Sequence, residues 1–324
     1  MSVKTIVLKT LEEHRGEFIS GEELANTLNV SRTAVWKVIK QLEKEGYKIQ
    51  AVQNRGYCLD LNNDLISVEG IKTYLRPKNE NLNIYVSKVT ESTNKDAKVC
   101  AVQGGSHGTV FVSQEQTAGR GRRGREFISL KGNSIYMSIL LKPKVSAQEI
   151  VSITTAASVA VYRAILKVTG KKTQIKWVND LYYGKHKVCG ILTEAVTDCE
   201  SGMIESIILG IGVNFNIKTE LIPDELKDIA GALYTGDSGL ITRNELTAEI
   251  INQVLEIYEH MPEKEYLEDY RDNSLVLGKE ITVLTHEGPR KAKAVGIADN
   301  GGLIVDYENQ EQEVLFSGEI TIRL

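Results

Sequence analysis

The hydrophobic periodicity changes character twice along the chain, and these two changes constrain the fold more than any other feature. Through residue 46 the apolar residues keep helical spacing. From about Ile84 to Arg271 strand-like and helical stretches alternate, and after Gly278 only short β-rich runs remain. A chain of 324 residues patterned this way is expected to be an α+β multidomain protein.

In the first segment Val3, Ile6, Val7 and Leu11 share a helical face. Ser20 and Glu23 form a capping box, each side chain satisfying an orphan amide, and Leu24 and Leu28 line the helix that follows. Asn29-Val30 breaks the chain. Ser31 then caps a third helix with Ala34, Val35, Val38 and Leu42 on its apolar face, and Gly46 stops it. Two strands, 47–52 and 57–61, flank the turn Asn54-Arg55-Gly56. Helix, helix-turn-helix and hairpin in this order make residues 1–62 a winged helix-turn-helix. In such a unit the third helix enters the DNA major groove and the wing reaches the backbone or minor groove. The candidate DNA contacts are Ser31, Arg32, Thr33, Trp36, Lys37 and Lys40 on the helix, with Asn54 and Arg55 on the wing. A solvated helix face is also basic, so the order of elements carries this reading. Nine Lys and Arg against eight Asp and Glu leave the unit at only +1, which favours a dimer on a two-part site.

Residues 63–82 read as a linker. The central domain, 83–273, has strands expected at 84–87, 109–114, 134–141, 174–177, 187–196 and 204–214. Residues 147–168 form a long helix apolar on nearly every side, hence buried, and 244–260 an amphipathic one. Residues 274–324, with runs at 280–284, 291–297, 303–307 and 313–316, suggest a small barrel.

The net charge of −4 excludes a globally basic nucleic-acid binder, leaving only a local patch. Four cysteines (Cys58, Cys100, Cys189, Cys199) form no C-x-x-C pair, and five scattered histidines form no H-E-x-x-H. No metal site is expected, and reduced thiols point to the cytoplasm. Acids interrupt the N-terminus where a signal peptide is apolar, and no apolar run approaches ~18 residues, so no membrane partner is expected.

Four motifs carry chemistry. Thr117-Ala-Gly-Arg-Gly-Arg-Arg-Gly-Arg125 alternates arginines with glycines. It matches G-x-G-x-x-G formally, but no helix opens after it, and Gly124 lacks the Lys-Ser/Thr of a phosphate-binding P-loop. The better reading is a glycine loop presenting guanidinium groups and amides to a phosphate, with an RNA-binding tract or a solvated loop as rivals. Ile175-Lys-Trp-Val-Asn-Asp-Leu181 places a lysine in an apolar strand, either to hold an anion or merely to snorkel from a strand edge. Glu91-Ser-Thr-Asn94 supplies small polar groups before a helix, or an ordinary N-cap. Gly210-Ile-Gly-Val-Asn-Phe-Asn216 lets backbone approach a ligand, with Asn214 as a polar contact.

Together with Lys187-Val-Cys-Gly-Ile-Leu192 and Gly318-Glu-Ile-Thr-Ile-Arg323, these motifs occur in the order seen in biotin protein ligases. With its winged helix the chain resembles the bifunctional bacterial type, which also represses the biotin operon, and the resemblance spans essentially the whole sequence. It implies a central domain similar to class II aminoacyl-tRNA synthetases and a C-terminal SH3-like β-barrel. The implied substrates are ATP and biotin, with Mg2+, joined as biotinyl-5′-AMP before biotin passes to a lysine of a biotin carboxyl carrier protein. The other implied partners are operator DNA and a second copy in an adenylate-promoted homodimer.

By resemblance, Ser92, Thr93, Asn94, Gln116, Arg120, Gly121, Arg122 and Lys176 hold biotin and the adenylate. Arg120 and Arg122 fold over the ligand and Lys176 grips carboxylate and α-phosphate oxygens. Arg122, Lys187, Asn214, Glu319 and Arg323 lie nearer the nucleotide. Val178 stands where the family usually has proline, with a strand conformation expected there, and 226–240 matches poorly. A ligand-sensing transcription factor without catalysis is the alternative. A lipoate or octanoyl transferase is disfavoured by the winged helix and the arginine loop.

Overall fold

The computed structural model describes residues 2–125, 127, 134–142, 150–197, 203–236, 238–285, 288–309, 311–316 and 318–322. They fall into two compact units, Met1–Glu80 with Ser238–Glu249, and Asn81–Asp237 with Ile250–Leu324.

In the first unit α1 (Val3–Glu13), α2 (Gly21–Thr27) and α3 (Arg32–Glu45) each begin at a serine. The hydroxyls of Ser2, Ser20 and Ser31 accept from the amides of Thr5, Glu23 and Ala34. Gly46 ends α3 in the left-handed conformation, φ 106°. Val35, Ile39 and Leu42 are fully buried on α3, packing with Val7, Leu11 and Leu24. Ile39 therefore belongs to the apolar face, where Ala34 and Val38 lie only at its margin. Each such side chain contributes roughly 1.5–3 kcal/mol by leaving water.

Strands β1 (Ile49–Val52) and β2 (Gly56–Leu59) pair antiparallel across a turn in which Asn54 has φ 63° and Gly56 φ 106°. A Cβ at Gly56 would stand 2.0 Å from Ile19 O, so only glycine fits. The segment expected as a linker carries α4 (Val68–Thr73), capped by Ser67 and packed on α1. Asp64 meanwhile accepts from Arg243 N and Nε, both at 2.7 Å, at the start of α7 (Arg243–Glu259).

The second unit contains a seven-stranded mixed sheet. Its strands are β3 (Ile84–Ser87), β4 (Thr109–Ser113), β5 (Ser134–Leu141), β6 (Gln174–Lys176), β7 (Asp180–Tyr183), β8 (His186–Thr197) and β9 (Ile204–Asn214). The order is β3-β4-β5-β9-β8-β7-β6. Only β3 and β4 run parallel, and α5 (Thr93–Val102) lies between them in sequence, supplying the crossover such a pair needs. All eight residues of β5 are buried, so the middle of the sheet is covered on both faces.

Helix α6 (Ile150–Thr169) packs against β8 and α8 (Tyr266–Asp272). Its stretch Val151–Thr169 has a mean hydropathy of 1.3 and is long and apolar enough to cross a bilayer, contrary to the expectation that no run would be. Because 72% of that stretch is buried inside the fold, it is a core helix.

The last strands, β10 (Glu280–Thr285), β11 (Gly288–Ile297), β12 (Leu303–Tyr307), β13 (Gln312–Leu315) and β14 (Glu319–Thr321), form an antiparallel sheet ordered β13-β12-β11-β10-β14. Ile281, Val283, Ala292, Ala294, Val305 and Ile320 face its core. Trp177 Nε1 donates to Gly301 O at 3.0 Å and Ser152 Oγ to Asn300 O at 2.9 Å, tying this sheet to the mixed-sheet domain.

Candidate active site and nucleic-acid interface

A cavity of about 420 Å³ opens where the N-terminus of α5, the arginine loop and the ends of β6 to β9 converge. Ser92, Thr93, Asn94, Gln116, Arg120, Gly121, Arg122, Lys176 and Lys187 all line it. Residues scattered over nearly a hundred positions thus share one concave surface.

One end is neutral and closely bonded. Ser92 occupies the N-cap position of α5, but its side chain makes no capping bond, so the simple N-cap reading fails. Thr93 donates to Gln116 Oε1 through both its amide, at 2.9 Å, and its hydroxyl, at 3.2 Å. Ser138 Oγ lies 2.8 Å from Thr93 Oγ1 and 2.6 Å from Asn94 Oδ1. Asn94 Nδ2 donates to Glu194 Oε2 at 2.6 Å, and Lys98 Nζ to Glu194 Oε1 at the same distance. Burial works against ionising Glu194, but bonds from Lys98 and Asn94 and the charges of Lys98 and Arg120 prevail, holding it below the usual glutamate range. The polar groups are therefore fixed before any ligand arrives.

The other end is cationic. The arginine loop folds back on itself, with Gly121 N donating to Arg125 O at 2.7 Å and Phe127 N to Gly119 O at 2.9 Å. Its base is held by Thr117 N to Thr90 O and Ala118 N to Glu91 O, both 2.9 Å. Arg122 Nη1 donates to Asn179 Oδ1 at 3.1 Å, and Asn179 Nδ2 to Ile191 O at 2.9 Å. Lys176 ends β6 half-buried, its Nζ 5.7 Å from the centroid of the Tyr182 ring. Burial, with the charge of Asp180, pushes the Tyr182 phenol up to about 12, so it stays protonated at neutral pH. Lys187 Nζ pairs with Asp180 Oδ1 at 2.7 Å.

Among the lining residues that sequence reasoning gave no role are Phe127, Asn179 and Asp180. Phe127 packs over two glycines. A Cβ at Gly212 would stand 2.5 Å from its ring, and one at Gly190 3.4 Å. Asn214 is not on the cavity wall; its Nδ2 donates to Gly231 O at 2.8 Å and so holds the segment after β9. Gly318, Ile320 and Thr321 bring the β14 strand to the rim. The side chain of Glu319 and the whole of Arg323 lie outside the described residues. The strand expected through Val178 stops at Lys176, and the Trp177–Val178 peptide is cis.

In the helix-turn-helix unit Arg32, Thr33, Trp36, Lys37 and Lys40 are exposed on α3, with Trp36 at 49%. Ser31 is committed to its cap and Lys40 pairs with Glu43 at 2.7 Å. Exposed Asn54 and Arg55 form the turn of the wing, the Arg55 guanidinium lying 4.1 Å over the Phe18 ring.

Comparison with known proteins matches all three segments of the chain. Residues 86–214 match the biotin/lipoate A/B protein ligase family, 4–58 an HTH domain and 276–323 the biotin protein ligase C-terminal domain. The bifunctional ligase/repressor BirA of Bacillus subtilis is 34% identical over 98% of this chain and 97% of its own length. That of Escherichia coli is 26% identical over 95% and 94%. The structure of a biotin protein ligase from Aquifex aeolicus in complex with biotin and ATP aligns with a TM-score of 0.62 and 30% identity, covering 74% of this chain and 98% of that one. A cavity that joins a fixed polar end to a cationic end, in a chain that opens with a helix-turn-helix, belongs to the family of bifunctional biotin protein ligase/repressors.

Proposed function

We propose that the chain joins biotin to ATP, releases pyrophosphate, and transfers biotin to a lysine of a biotin carboxyl carrier protein. The observation that carries this reading is the two-ended cavity, with Thr93–Gln116 fixed at one end and Lys176, Arg120 and Arg122 at the other. In the first step a biotin carboxylate oxygen bonds to the α-phosphorus as the bond to pyrophosphate breaks. Both reactants are anions, so the chemistry needs cationic donors that gather them rather than a nucleophile on the enzyme. Lys176 meets the carboxylate and α-phosphate oxygens, and Arg120 and Arg122 close over them. Ser92, Thr93 and Gln116 hold the ureido ring, with Asn94 beside them in the biotin end. Lys187 and the β14 rim face the nucleotide. In the second step the carrier lysine amine attacks the biotinyl carbonyl and AMP leaves.

Magnesium enters with ATP. No group of three or more His, Cys, Asp or Glu that could hold a metal exists among the described residues, and an ion keeping phosphate and water ligands needs at most a carboxylate such as Asp180.

The same chain represses biotin genes as an adenylate-promoted homodimer, with Arg32, Thr33, Trp36 and Lys37 in the major groove and Asn54 and Arg55 beside it. The deciding experiment is biotin-dependent ATP–pyrophosphate exchange followed by labelling of a carrier domain. Biotin binding without exchange would convert the reading to that of a sensor without catalysis.

A further inference from the structure

A second cleft, of about 900 Å³, lies behind the wall of the first. It is lined by Lys171, by Tyr183 to His186 in the turn between β7 and β8, and by the segment that follows β9. Three lysines (Lys171, Lys185, Lys227) and His186 face it, and no carboxylate belongs to its described lining. Of these lysines only Lys227 has a carboxylate partner among the described residues, Asp224, whose side chain is 91% exposed. Lys171 Nζ is held 4.9 Å from the Tyr183 ring centroid and 4.7 Å from that of Tyr234. The ionisable side chains of the described lining other than tyrosine are thus all basic, although the segment that carries Lys227 also holds Glu220, Asp224, Glu225 and Asp228 and the chain as a whole carries −4.

The two cavities share a thin partition. Lys187 N donates to Ile229 O at 2.7 Å and Gly231 N to Lys187 O at 2.9 Å. Lys187 and Ile229 line the first cavity, while His186, Ala230 and Gly231 line the second. At Gly231 a Cβ would stand 2.6 Å from His186 Cβ, so glycine is what lets the partition close.

We propose that this second cleft binds a polyphosphate group, a diphosphate or triphosphate. Its cations are lysines, compact point charges suited to phosphate, with no arginine fork for a carboxylate. One face of each tyrosine is taken by Lys171, which leaves a poor platform for stacking a base. The cleft is larger than the first cavity and takes several phosphate groups. Free pyrophosphate and the triphosphate tail of a nucleotide are the two sources of this chemistry. The inference rests on the ligase reading only for the ligand that fills the first cavity.

The test is calorimetry on the full-length protein with the first cavity filled by a non-hydrolysable biotinyl-adenylate analogue. Inorganic pyrophosphate should still bind at one site per chain. Lys171→Ala and Lys185→Ala should each weaken that binding by about tenfold or more, as expected for loss of a charged hydrogen-bond donor, with biotin affinity unchanged. Lys185 is an exposed turn residue, so its variant reports without disturbing the fold. A parallel titration with ATP separates the sources: binding adds nucleotide tails, and no binding restricts the site to inorganic polyphosphate. Loss of all pyrophosphate binding once the analogue is present would overturn the proposal. Unchanged affinity in both variants, or tighter binding of a hexaglutamate peptide, would do the same. ATP–pyrophosphate exchange, measured separately, reports on the ligase reading alone.

Discussion

Gly210 lies directly against the amide of Asn94: a Cβ built on it would stand 2.2 Å from Asn94 Oδ1. Strand β9 therefore carries glycine at this position because a buried, hydrogen-bonded side chain from α5 occupies the space. Gly210→Ala should displace Asn94 from Ser138 and Glu194 and weaken biotin binding by roughly ten- to a hundredfold, the worth of a disrupted buried polar contact. Calorimetry with biotin measures this, and wild-type affinity would mean that Asn94 does not organise the pocket.

Lys176→Ala should lower adenylate formation by about 10²–10³-fold with the fold intact, because a charge aimed at developing phosphate charge is removed. Lys176→Arg should not restore it, since a planar fork cannot replace a compact ammonium beside the Tyr182 ring. Biotin-dependent pyrophosphate exchange alongside circular dichroism is the measurement. Normal exchange in the alanine variant would remove Lys176 from the chemistry.

Arg122→Gly should release the adenylate rather than prevent its synthesis. The guanidinium bridges the loop to Asn179, so its loss unlatches the cover over a reactive intermediate. Bystander proteins should acquire biotin on their lysines. If only the carrier is labelled, as in wild type, the latch role is wrong.

Glu194 gives a pH dependence of known sign. Its folded-state pKa is depressed, so its stabilisation is present above the ordinary glutamate range and is lost as pH falls through the folded value. Glu194→Gln should melt below wild type at pH 7, and the difference should shrink toward zero on acidification. A difference independent of pH would contradict the assignment.

DNA binding should tighten when biotin and ATP are both supplied if the proposed dimerisation unites two weakly charged helix-turn-helix units. Arg32→Ala or Lys37→Ala should weaken a gel shift on a biotin-gene promoter and reduce its salt dependence by about one phosphate contact each. Lys40→Ala should do less, since Lys40 is already paired with Glu43. A deletion of residues 1–62 would abolish the shift, but it would also strip α1 from α4 and leave Asp64 with Arg243, so point variants are the cleaner probe. Equal affinity with and without the two substrates would sink the coupling.

Much of this architecture is legible in the sequence where local chemistry decides. The serine caps at Ser20 and Ser31 and the glycine stop at Gly46 mark helix ends because each lies at the edge of a helically spaced apolar run. The arginine loop stands out because four arginines fall in six positions, whereas Lys176 alone could equally snorkel from a strand edge and stands out only beside the other motifs. Phe127 was not legible, because its place depends on Gly190 and Gly212, far away in sequence. The bond from Asn214 to the Gly231 carbonyl was not legible for the same reason, since the two residues meet only through the fold of the segment after β9. Helix α8 spans only seven residues, too few for periodicity to declare itself, yet Tyr266, Leu267 and Tyr270 are all buried.

The arginine loop is stapled to itself from Gly119 to Phe127 and to the Thr90–Glu91 backbone at its base. Those cross-ties remove torsional freedom that an open loop would retain in the free protein. Each backbone residue left free would cost about 1–2 kcal/mol to order on binding, and here much of that ordering precedes the ligand. A loop tied in this way has less freedom left to lose when an anion binds, so less of the interaction is spent on ordering it.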